Sequence, residues 1–133
     1  MKMDLVVRNG LVIDPVSLEE ARQDVGISGD RISFVGPEAP RAAREIDAGG
    51  LLVLPGLVDT HMHFEHRVGD PYTVLRSLLL QGVTTAFAGH CGEGVMIREY
   101  REWFLQNPLI NMGFMTGATT LRRAAGSDDR YSP

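Results

Sequence analysis

The chain has 133 residues, 44% hydrophobic and 23% charged, the composition of an ordinary globular protein with enough apolar material for a real core. Its 13 basic and 17 acidic residues leave a net charge of −4 with no basic block, so a nucleic-acid or anionic-membrane partner has no electrostatic support. Charges at Lys2, Asp4 and Arg8 break the first apolar run, which cannot serve as a signal-peptide core, and the run from Leu51 to Val58 is far too short to span a bilayer. A single cysteine excludes an internal disulfide and suits a reducing compartment, so the expected location is cytoplasmic.

The first fifty residues read as β-rich. Leu5-Val6-Val7-Arg8 and Leu11-Val12-Ile13 flank Asn9-Gly10, a dipeptide favoured in tight hairpin turns. Asp24 to Ser28 and Arg31 to Val35 flank Gly29-Asp30 in the same manner. A further short pair, Arg44 to Asp47 and Leu51 to Leu54, is separated by Ala48-Gly49-Gly50. Strands at this spacing predict a small sandwich or meander over residues 1–54.

From residue 55 onward the texture changes. Leu57 to His63 reads as an apolar strand. Asp70-Pro71 predicts a helix N-cap followed by proline at the first helical position; Leu75, Leu78 and Leu79 share a face, and Gly82 closes the helix. Val83 to Ala88 is β-branched and strand-like. A second helix is expected over about 95–106, with Met96, Tyr100, Trp103 and Phe104 on one side, and a third strand from Leu109 to Thr116. The tail from Thr119 to Pro133 shows no period. Strand, helix, strand, helix, strand is the pattern of parallel βαβ units. The fold class is therefore α/β: a β-sandwich lobe leading into the first three strands of a parallel layer over residues 55–133. Three such strands do not close a barrel and leave both edges open.

The chemistry concentrates at the ends of those strands. Period-two alternation places Asp59, His61 and His63 on one side of the first strand, with Thr60 and Met62 on the other. An isolated His-x-His can be two strand-edge histidines with backbone partners. At the carboxyl end of a buried strand, where parallel α/β folds collect their active groups, it reads as half of a metal site. Cys91 lies in Gly89-His90-Cys91-Gly92-Glu93-Gly94, directly after the second strand. A lone cysteine is commonly a small buried hydrophobe; beside a histidine pair, its thiolate reads as a zinc ligand. His90 fits a supporting role in that loop, and His66 beside Arg67 faces solvent. Glu65 begins the loop after the first strand, and Glu93 and Glu99 read as solvated. The glycine cluster lacks the spacing and the lysine of a phosphate-binding loop. Asp128-Asp129-Arg130 is either a charged surface turn or part of a substrate-facing loop.

These residues together resemble the amidohydrolase superfamily, and within it the N-acyl-D-amino-acid deacylases (D-aminoacylases). The likeness is carried by Asp4 to Gly10, Gly29 to Ile32, Glu45 to Ala48, Pro55 to His63, Gly82 to Thr85, Gly89 to Gly92, Thr120 to Arg122 and Gly126 to Arg130. The proline-glycine to His-x-His text is shared with cyclic-amide hydrolases; the cysteine loop and the Asp-Asp-Arg segment point to the D-aminoacylase branch. The resemblance implies a (β/α)8 TIM barrel with a small β-sandwich, of which this chain is the truncated amino-terminal portion. It implies one or two zinc ions, with His61, His63 and Cys91 matching metal ligands. It also implies hydrolysis of a linear amide, an N-acyl-D-amino acid yielding a carboxylate and a D-amino acid. Two positions depart from the family: His90 stands where asparagine is usual, and Gly117-Ala118 where a glycine-histidine pair is common. No residue matches the family's catalytic aspartate, so the catalytic set is incomplete and this portion alone is expected to be inactive. Its partners are then a small N-acyl amino acid and the rest of the barrel. The alternatives are a non-catalytic metal-binding or assembly module forming a homo-oligomer, or a cyclic-amide amidohydrolase.

Overall fold

The computed structural model describes residues 3–63, 71–89, 92, 97–106 and 109–127. They fall into two compact units, Met1–Pro55 and Gly56–Pro133.

The first unit is one five-stranded sheet among the described residues. β1 (Met3–Ile13), β2 (Glu20–Ser28), β3 (Arg31–Gly36) and β4 (Ala42–Asp47) stand in the order β3-β2-β1-β4, and β5 (Leu52–Val53) also pairs with β1. The hairpin expected at Asn9-Gly10 does not form, and β1 runs straight through the dipeptide. Its pairing with β2 steps from Val7↔Val25 to Gly10↔Gln23, three residues against two, which is a β-bulge. Asn9 sits at φ 62°, a conformation asparagine tolerates, and its backbone N–H donates to Asp24 Oδ1 at 2.9 Å. Its side chain donates to Asp47 Oδ1 at 3.0 Å. With an acceptor for the displaced amide already in place, the dipeptide bends a strand instead of reversing it.

The hairpin at Gly29-Asp30 does form, with Ser28 opposite Arg31 and Gly29 at φ 61°. The segments around 44–47 and 51–54 make no meander. β4 runs parallel to Met3–Arg8 and β5 parallel to Leu11–Val12, end to end along one edge of β1. Ala48 N donates to Arg8 O at 2.8 Å and Leu11 N to Leu51 O at 3.0 Å, closing the step between them. Met3, Val6, Val25 and Ala48 are the buried apolar residues of this unit.

Arg8 gathers its polar side. Nε and Nη2 hold Glu45 as a fork at 2.8 and 2.6 Å, Nη1 reaches Asp24 at 2.9 Å, and the carbonyls of Ala39 and Pro40 accept at 3.1 and 3.4 Å. Bidentate pairs of this kind are the strong ones. Arg8's hydrogen bonds hold the Glu45 carboxyl down at about 2. Asp24 is buried, which pushes its pKa up, but the amides of Ala39 and Asn9 and the Arg8 guanidinium outweigh burial and leave it below the usual carboxylate range.

The second unit alternates strand and helix. β6 (Leu57–Met62), β7 (Val83–Ala88) and β8 (Asn111–Phe114) form a parallel sheet in the order β6-β7-β8, with α1 (Pro71–Leu80) and α2 (Ile97–Gln106) as crossovers. One apolar cluster joins Met62, Leu75, Ala86, Ala88 and Phe104. Small residues at 86 and 88 leave room for Leu75 of α1, which is fully buried, and the Phe104 ring of α2 meets Phe114 at 5.0 Å. Gly82, at φ 85°, ends α1 as expected, its amide bonded to Leu79 O at 3.0 Å. Asp70, the expected N-cap, lies outside the described residues. The third strand is shorter than the 109–116 expected.

The tail holds a helix that the sequence did not announce, α3 (Ala118–Ala124). It buries no residue, so it has no apolar period to read; its ends define it instead. Leu121 N bonds Gly117 O at 3.1 Å, Ser127 N bonds Arg122 O at 2.9 Å, Gly126 takes φ 82°, and Arg122 and Arg123 sit in the last turn beside the carbonyl end of the dipole. No helix among the described residues is long and apolar enough to cross a membrane.

Candidate metal centre

The carboxyl ends of β6, β7 and β8 lie side by side, with Met62 opposite Ala88 and Ala88 opposite Phe114. Met62 is buried in the cluster beneath the helices, whereas its neighbours His61 and His63 are exposed. The two imidazoles therefore stand on the sheet face turned away from that cluster. Their ring centres are 5.4 Å apart and the planes are tilted by 59°.

That spacing can be compared with what a metal needs. An imidazole nitrogen about 2.0–2.1 Å from zinc puts its ring centre about 3.2 Å from the metal, so two such rings at a tetrahedral angle have centres about 5.2 Å apart. The observed 5.4 Å lies close to this value. The donor set and its spacing fit a divalent metal.

Asp59 does not simply share the histidine face. Pairing of β6 with β7 steps from Asp59↔Ala86 to Met62↔Ala88, so Thr60 and His61 lie in a bulge. Asp59 Oδ1 accepts the backbone N–H of His61 at 2.9 Å. Simple alternation missed this bond, although an aspartate two residues before the amide it caps is a familiar local pattern.

The chain after β7 leaves the sheet through Gly89. This residue is buried at φ 95°, where a methyl group would collide with the carbonyl oxygen of Met115. Met115 N donates to Ala88 O at 2.9 Å, and Thr119 N, in the first turn of α3, donates to Gly92 O at 2.8 Å. The loop is thus fixed at Gly89 and at Gly92. Cys91 and His90 between them lie outside the described residues, as do Glu65, His66, Glu93 and Asp128-Asp129-Arg130. Among the described residues no group of three or more His, Cys, Asp or Glu side chains comes together.

No family model matches the chain. It is 32% identical to the N-acyl-D-glutamate deacylase of Alcaligenes xylosoxydans xylosoxydans, in an alignment covering 99% of this chain and 32% of that protein. It is 41% identical to adenine deaminase 2 of Agrobacterium fabrum over 86 residues, covering 63% of this chain and 14% of that one. Among solved structures, the N-acyl-D-glutamate deacylase of Bordetella bronchiseptica, complexed with zinc and a phosphonate mimic of the tetrahedral intermediate, superposes with a TM-score of 0.79 at 28% identity, over 94% of this chain and 31% of that one. A D-aminoacylase described as having a binuclear metal centre superposes with a TM-score of 0.75 at 30% identity, over 92% and 31% of the two chains. The chain is a homologue of the N-acyl-D-glutamate deacylases and D-aminoacylases, matches part of the fold of their amidohydrolase TIM barrels, and spans about a third of their length.

Proposed function

We propose that this chain is the part of a zinc-dependent amidohydrolase that supplies the strand-end metal ligands His61, His63 and Cys91. The complete enzyme cleaves the linear amide of an N-acyl-D-amino acid to a carboxylate and a free D-amino acid. One or two zinc ions serve it; bound zinc brings the pKa of its water to about 7 and polarises the scissile carbonyl. The observation that carries the reading is the imidazole pair, 5.4 Å between ring centres on the open side of a parallel sheet. His61 and His63 would hold the metal from β6, and Cys91 from the loop fixed at Gly89 and Gly92. No residue of the sequence matches the family's catalytic aspartate, so in this reading the remaining catalytic groups come from the rest of the barrel and this portion alone is inactive. The division of labour is a β lobe over residues 1–54 and the start of the barrel over 55–133. A reducing cytoplasm, where a lone thiol stays available to the metal, is the natural setting.

The adenine deaminases favour a second reading, hydrolytic deamination of a purine, through their 41% identity over 86 residues. The deacylase reading stands ahead because its relative aligns with 99% of this chain against 63%.

The test is to purify the protein from its own source with metal retained, weigh its subunit by native mass spectrometry, and assay N-acetyl-D-glutamate, other N-acetyl-D-amino acids, their L counterparts and adenine. A subunit several times heavier than this chain, carrying zinc and releasing D-amino acids, is the expected result. Turnover of adenine alone transfers the reading to deamination. A subunit ending at Pro133 in a defined oligomer without hydrolysis replaces it with a metal-binding assembly module.

A further inference from the structure

We infer that Asp59 is a positioning residue for the imidazole pair, acting through the backbone of His61. The inference rests on the metal reading above. It begins with the bulge. Between the pairs Asp59↔Ala86 and Met62↔Ala88, β6 spends three residues where β7 spends two. An extra residue of this kind loses its place in the ladder and bends the strand, and such bends re-aim side chains beside active sites. Here the amide that needs a partner is that of His61, and Asp59 Oδ1 accepts it at 2.9 Å.

The consequence is geometric. In an unbroken strand His61 and His63 would lie two residues apart along a straight pleat, about 6.6–6.8 Å between α-carbons, with side chains standing parallel. The ring centres are instead 5.4 Å apart with planes tilted by 59°, a spacing close to that of two imidazoles on one ion. Met62, between them, remains buried under α1. The bulge therefore moves the histidines without disturbing the core residue they flank, and the Asp59 bond is what closes it. The Asp59 carboxylate bonds the backbone of His61 and so sets the path of the chain that carries the imidazoles. Partners that orient metal ligands are worth about 10–100-fold in metal affinity.

The experiment uses the full chain with cobalt(II) chloride as probe, reading affinity and the visible d–d spectrum, with zinc chloride in competition. Four proteins are compared: the parent, Asp59→Ala, Asp59→Asn and His63→Ala. Asparagine keeps an oxygen that can accept the His61 amide but carries no charge. Asp59→Ala is expected to bind cobalt about tenfold more weakly or worse, with an altered spectrum. Asp59→Asn should stay within about threefold of the parent with the parent's spectrum, and His63→Ala should lose binding. Parent-like cobalt binding in Asp59→Ala, with binding lost in His63→Ala, overturns the positioning role and leaves the metal reading standing. Binding in Asp59→Asn as weak as in Asp59→Ala also overturns it, because charge rather than the hydrogen bond would then be responsible. Unchanged binding in His63→Ala removes the metal reading and this inference with it. If Asp59→Ala does not fold, as judged by circular dichroism, Asp59→Ser takes its place, its shorter hydroxyl being expected to give an intermediate loss.

Discussion

Each unit of the molecule contains a strand bulge closed by an aspartate, and the two are put to different ends. In the first unit Asp24 accepts the amide of Asn9 in the bulge of β1; in the second Asp59 accepts the amide of His61 in the bulge of β6, both at 2.9 Å. Asp24 is buried and reaches across from a neighbouring strand, and its other oxygen is taken by Ala39 N and Arg8. Asp59 is only half-buried and belongs to the strand it bends. One bulge is tied into a polar network that ends in the protein itself. The other leads to two exposed imidazoles. The same local device thus locks a fold in one place and presents side chains in the other.

The two bulges differ most in what they contribute to stability, and Asp24 carries the larger share. Its replacement by alanine leaves the amides of Asn9 and Ala39 without their acceptor and Arg8 with Glu45 as its one carboxylate partner, inside a unit whose buried apolar set is small. Removing one partner from such a buried network is expected to cost about 3 kcal/mol, read as a lower denaturant midpoint. Asp59→Ala should barely move that midpoint while weakening cobalt binding. A large loss of stability in both variants would mean that the two bulges are structural alike.

A second substitution sharpens the contrast from the other side of the sheet. Gly89→Ala puts a methyl group against Met115 O at a residue held at φ 95°. Strain plus collision should cost about 2 kcal/mol, with cobalt affinity falling because Gly89 launches the loop that carries Cys91. Cys91→Ala should weaken cobalt and zinc binding with the midpoint held; unchanged affinity would return Cys91 to an apolar role.

How much of this could be read from the residues alone differs between the units for a physical reason. The βαβ alternation was legible because each element announces itself through its own period: Leu75 and Leu78 on a helix face, Val83 to Ala88 as a β-branched run, Gly82 as a stop. The histidine pair was legible because it ends such a run. Asn9-Gly10 misled because a left-handed asparagine serves a bulge as well as a turn, and only the distant carboxylates of Asp24 and Asp47 decide between them. The parallel docking of β4 and β5 on β1 depends on contacts 40 residues or so apart in sequence, which no local pattern encodes. α3 was missed because a helix that buries nothing carries no stripe.

The smallest expected effect separates the units by pH. Glu45 is held at about 2, against an ordinary 4.5, by its hydrogen bonds from Arg8 first, with the Ala42 amide and the charge of Arg8 adding to them. A carboxyl depressed in the folded state contributes stability above its unfolded pKa and loses that contribution as pH falls toward the folded value. The stability of the first unit should therefore decline between about pH 4.5 and 2, and Asp24 and Asp47, lowered in the same direction, add to the slope. The effect is modest because the Glu45 side chain is 39% exposed and water and salt screen its pairing with Arg8. Amide exchange at Val6 and Val7, which lie opposite Glu45 and Ile46 on β4, reports it directly. Glu45→Gln keeps an acceptor for Arg8 but no longer titrates, so it should lower protection at neutral pH and flatten the acid slope. An unchanged slope in that variant would assign the acid sensitivity to Asp24 and Asp47, and the first unit's polar lock would then rest on the carboxylates that hold Asn9.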